Sequence, residues 1–125
     1  MNDSAERAAE GPAGPAGPAA EARGADELRA AAKLLADRFR SMPQSRLLGA
    51  VPGHPSRAAA GLALARELAR LAHAPVELPD AGPFAVGDQI AVAGHDLACE
   101  DLGADHPAAI ARGIELIRAT TRICG

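Results

Sequence analysis

From residue 26 onward the larger apolar side chains recur at three- and four-residue intervals, which is the spacing of one face of an α-helix. In ADELRAAAKLLADRFRSM, Leu28, Ala32, Leu35, Phe39 and Met42 share a stripe, with Lys33, Asp37 and Arg40 opposite. This predicts a helix capped by Asp26 and ended before Pro43. Residues 43–55 hold three prolines and two glycines around a short apolar knot and read as a connection. Ser56 is then a good N-cap for SRAAAGLALARELARLAH, where Gly61, Leu64, Leu68 and Leu71 share a face and Arg66, Arg70 and His73 the reverse.

After a Pro-rich segment, AVGDQIAVAGHDLACEDLG supports two patterns. As a helix from about Pro83 to Leu102 it stacks Val86, Ile90, Ala93 and Leu97, with Gly87, Gly94 and Ala98 beside them. Small residues seven apart on that edge let another helix approach closely. As a strand, Phe84, Val86, Ile90 and Val92 alternate, but Asp88 interrupts the apolar face and two glycines weaken it. The helix is the better fit. A last helix starts at Asp105 or His106, with Pro107 in its first turn and Ile110, Ile114, Ile117, Thr121 and Cys124 as its stripe. The expected fold is all-α, a small antiparallel bundle of about four helices over residues 25–125, whose longer links leave room for an irregular arrangement. Residues 1–24, with GPAGPAGPA at 11–19, read as a disordered Gly/Pro/Ala-rich tail.

Composition adjusts this picture in one respect. The chain has 125 residues, 48% hydrophobic, yet 32 of its 60 hydrophobic residues are alanine. So thin a core argues against a large enzyme cavity and favours burial against a partner. No apolar run approaches the length needed to cross a bilayer, and MNDSAERAAE lacks the basic and apolar regions of a secretory signal, so a cytoplasmic protein is expected.

Charge is divided along the chain. Residues 1–27 carry −4, residues 28–73 carry +6 and residues 74–125 carry −5, within a total of −3. The simplest reading is mutual neutralisation of the halves. A nucleic-acid surface built on Arg38, Arg40, Arg46, Arg57, Arg66 and Arg70 is the lesser one, since the chain has one Lys and no Tyr or Trp to stack on bases.

The most polar cluster lies in GDQIAVAGHDLACED. His95 and Cys99 fall one helical turn apart, a spacing that can serve a transition metal if His54 or His106 adds a ligand. Asp88 shares their side of the helix, and Gln89, Asp96 and Glu100 form a polar strip. There is no GxSxG elbow and no P-loop, and neither cofactor nor catalytic residue is expected. At FAVGDQIAVAGHDL (84–97), FRSMPQSRLL (39–48) and the Ala- and Arg-rich stretch 57–72, the chain resembles a family of small uncharacterised actinobacterial proteins. That resemblance covers about residues 28–120 and implies no known activity. The binding candidates are Gly87, Asp88, Gln89, Gly94, His95 and Asp96, and the expected role is a non-enzymatic module that binds a protein partner or itself as a homodimer. The alternative is a metal-binding protein or small enzyme around His95 and Cys99.

Overall fold

A computed structural model describes residues 17–125. The reading of residues 1–16 as tail lies outside them. The described chain is an all-α bundle with no strand, its only bridge an isolated antiparallel pair between Val51 and His54. Its helices are α1 (Pro18–Arg40), α2 (Gln44–Leu47), α3 (Arg57–Leu71), α4 (Val86–Cys99) and α5 (His106–Cys124), with 3₁₀ turns at Pro83–Ala85 and Gly103–Asp105.

Helix α1 begins at Pro18, so residues 18–24, expected in the tail, are helical, and Asp26 is an interior residue rather than a cap. The physical reason is tertiary. Pro18 suits a first turn, which needs no N–H, and the alanines that follow are strong helix formers. Ala25 is buried, and a Cβ on Gly24 would stand 3.3 Å from Ile110 Cγ2, so α5 covers this turn. Small residues carry that contact, which leaves no large apolar stripe to announce it. The expected stripe itself is buried: Leu28, Ala32, Leu35, Phe39 and Met42.

Ser56 caps α3 as expected, its Oγ accepting from the Ala59 N–H at 2.9 Å. The helix stops in a Schellman turn. His73 N–H donates to Arg70 O and Ala74 N–H to Ala69 O, both at 2.9 Å, with His73 in the left-handed region at φ 61°. The segment 84–97 is helical. Its alternation failed as a strand because Val86, Ile90, Ala93 and Leu97 are buried together on one helical face.

Helix α1 packs on α4 and α5, and α3 packs on the same two, giving a cyclic order α1–α4–α3–α5. Cross-contacts fix the directions. Arg40 meets Asp88 at one end of the α1/α4 seam and Arg29 meets Cys99 at the other, so these helices are antiparallel. Arg57 reaches Cys124 O while Leu68 lies beside Gly113, so α3 and α5 are antiparallel too. By contrast α1 and α5 run parallel, with Gly24 beside Ile110 and Arg38 beside Thr121. Helices α3 and α4 also run parallel, because residues 72–82 carry the chain back along α3. A 15-residue helix spans about 22 Å and eleven extended residues reach at most about 36 Å, so the return fits. Two side chains pin its backbone: Arg66 Nε donates to Leu78 O and Gln89 Nε2 to Pro79 O, each at 2.8 Å.

The core is built from Leu28, Leu47, Leu68, Ile90, Leu97 and Cys124, all fully buried, with alanines filling the seams. Among the described residues no polar or charged residue is buried, and no helix is long and apolar enough to cross a membrane.

Candidate functional site

The six candidates on α4 separate once packed. Gly87 and Gly94 are buried under α1: a Cβ on Gly87 would lie 2.9 Å from the Ala36 carbonyl oxygen, and one on Gly94 would lie 2.5 Å from Ala32 Cβ. The edge of small residues does admit a helix, and that helix belongs to this chain. Asp88 is a staple in the same seam, its Oδ1 accepting from Arg40 Nε and Nη2 at 2.9 Å. That bond raises the Arg40 guanidinium pKa above its ordinary value, with Asp37 adding to it. Gln89 holds the return segment through its amide nitrogen, while its buried Oε1 has no partner. Only His95 and Asp96 remain as exposed members with side chains not tied to another element.

The structure does bring His95 and Cys99 together, with Nε2 3.6 Å from Sγ. The third neighbour is a cation: Arg29 Nη2 is also 3.6 Å from that sulfur, and this contact, more than Asp26, raises the Arg29 pKa. A guanidinium there repels a metal dication. His54 and His106 do not converge on the pair, for His106 Nε2 lies 3.2 Å from Leu97 O and His54 belongs to the Val51 bridge. Among the described residues no group of three or more His, Cys, Asp or Glu side chains could hold a metal ion. Cys124 is buried, and burial pushes its thiol pKa up despite Arg57 nearby.

The arginines of the basic half are largely engaged, as neutralisation requires. Arg40 pairs with Asp37 and Asp88, and Arg70 with Glu67 and Glu77. Asp37 is held below its ordinary pKa of 3.8 first by a hydrogen bond from Lys33. Arg66 donates to Leu78 O, and Arg57 spans two carbonyls, Cys124 O at 3.0 Å and Arg46 O at 3.1 Å. Of the six arginines considered for a polyanion, Arg38 and Arg46 alone form neither an ion pair nor a side-chain hydrogen bond among the described residues.

Arg38 borders a feature that the periodicity did not single out. Between the parallel helices α1 and α5 lies an open groove of about 400 Å³, floored by Ala31, Leu35 and Ile117 and edged by Leu34, which is 67% exposed. Arg38 rims it from α1, and Arg118 and Arg122 rim it from α5. A smaller depression adjoins it, sharing Arg38 and adding Arg46. The available signal was a pair of one-turn spacings, Leu34 with Arg38 and Arg118 with Arg122, but only the parallel pairing of two helices far apart in sequence makes them one surface.

Other large apolar side chains are exposed, Leu48, Val76, Phe84 and Val92. Leu48 also lines a more polar hollow between α3 and the turn at Asp80–Pro83. No protein-family model matches the chain, and no curated protein or solved structure matches it either.

Proposed function

We propose that this chain is a non-enzymatic, cytoplasmic helical interaction module that receives an amphipathic helix of a partner protein in the α1/α5 groove. The observation that carries this reading is Leu34, a large apolar side chain left 67% exposed beside an apolar-floored groove in a protein whose other α1 leucines are buried. Burying an exposed leucine contributes about 1.5–3 kcal/mol, which makes such an edge a natural anchor. A groove between two helices suits a third helix, whose i, i+4 and i+7 side chains fill it. Gly87 and Gly94 themselves lie under α1 and offer a partner no open surface.

The test is fluorescence anisotropy with a labelled, uncharged helical peptide bearing leucines at i, i+4 and i+7 and glutamines between. Binding to the wild type that is lost in Leu34→Asp, with circular dichroism unchanged, supports the reading. No saturable binding overturns it. So does stoichiometric metal in the purified protein that disappears in His95→Ala, since the site at His95 and Cys99 would then be the functional one.

A further inference from the structure

Resting on that reading, we infer that the partner helix is acidic along its flanks, and that Glu27 of this chain competes with it for Arg118. Four guanidinium groups, Arg38, Arg46, Arg118 and Arg122, gather around the groove and its neighbouring depression, in a chain whose net charge is −3. Three of them, Arg38, Arg46 and Arg122, have no acidic partner among the described residues. The fourth, Arg118, is held by Glu27 at 2.8 Å, with both side chains more than half exposed.

The spacing defines the complement. Arg118 and Arg122 stand one turn apart on α5, about 6 Å along the axis, on one bank of the groove, and Arg38 stands on the other. A helix lying between them with leucines downward presents carboxylates to both banks when acidic residues flank the apolar positions. Arginine takes such carboxylates in paired hydrogen bonds. A nucleic acid fits the rim but not the floor, because Ala31, Leu35 and Ile117 offer neither a polar contact nor an aromatic face for a base, and the Thr121 hydroxyl already donates to Ile117 O at 2.8 Å. Glu27 already neutralises part of the Arg118 charge that an incoming carboxylate would meet, so this residue sets a threshold for binding.

The experiment compares two peptides on the full chain, the glutamine peptide above and its counterpart with glutamates at the flanking positions. The glutamate peptide is expected to bind about tenfold more tightly at low salt and to lose most of that advantage at high salt. Arg38→Ala combined with Arg122→Ala should weaken the glutamate peptide about tenfold and leave the glutamine peptide unchanged. Glu27→Gln should tighten the glutamate peptide about twofold, a gain that a merely structural Glu27 would not give. Equal affinity for the two peptides overturns the inference while leaving the interaction module standing; binding of neither overturns the module itself. Displacement of the glutamate peptide by an unstructured polyanion such as polyphosphate, at equal charge concentration, also overturns the inference, since charge alone would then suffice. Self-association abolished by Leu34→Asp does so as well, by naming a second copy as occupant.

Discussion

Glycine at position 94 is fixed by the distance between two backbones. Its hydrogen faces Ala32, and a methyl group there would meet Ala32 Cβ at 2.5 Å, well inside van der Waals contact. Ala32 has no rotamer with which to retreat, so α1 and α4 would have to part. Alanine improves helix propensity by about 1 kcal/mol over glycine, but overpacking costs about 1–3 kcal/mol. Gly94→Ala should therefore lower unfolding stability in urea by about 1 kcal/mol, and Ala32→Gly in the same chain should recover part of the loss. If Gly94→Ala raises the midpoint, the seam is looser than its geometry indicates. The sequence pointed to Gly94 through its seven-residue spacing from Gly87, and that part was legible. What α1 would do with the space was not, because alanines that pack a seam look like alanines that merely favour a helix.

At the scale of elements, α3 shows how a local rule can be met by an unfavourable residue. Its Schellman end requires a left-handed residue after the cap, and His73 supplies it at φ 61°, where glycine carries no steric cost. His73→Gly should raise the stability of the protein by about 1 kcal/mol, read as a higher urea midpoint with an unchanged slope. A lower midpoint would mean that the imidazole makes a stabilising contact. The helix itself was evident from Ser56, from its leucines and from Pro75, which are signals written within a few residues of one another. The first two turns of α1 were hidden for the opposite reason: the groups that hold them, Ile110 above all, lie in the last helix. The same separation concealed the α1/α5 groove, whereas His95 and Cys99, four apart on one helix, were readable as neighbours.

Across the whole molecule, the four long helices meet at few large side chains. Leu68 from α3 is fully buried and lies against the backbone of Gly113, where a Cβ would also meet Leu28 and Leu97 from two other helices. With alanines filling most of the remaining seams, one charge at this point has no route to water. Leu68→Asp should abolish cooperative unfolding at neutral pH, seen as loss of the thermal transition by circular dichroism. A variant that melts like the wild type would displace Leu68 from the centre of the bundle. The Arg–Glu and Arg–Asp pairs on the surface are nearly all more than one-third exposed and contribute little by comparison.

The cyclic order of the helices leaves α1 dependent on elements made long after it. During synthesis Leu28 and Leu35 leave the ribosome before α4 and α5, the two helices on which α1 mainly packs, and the Pro-rich return lies in between. For that interval the first helix carries an uncovered greasy stripe, which makes nascent chains stalled before residue 86 the form of this protein best suited to chaperone capture and to clumping with one another.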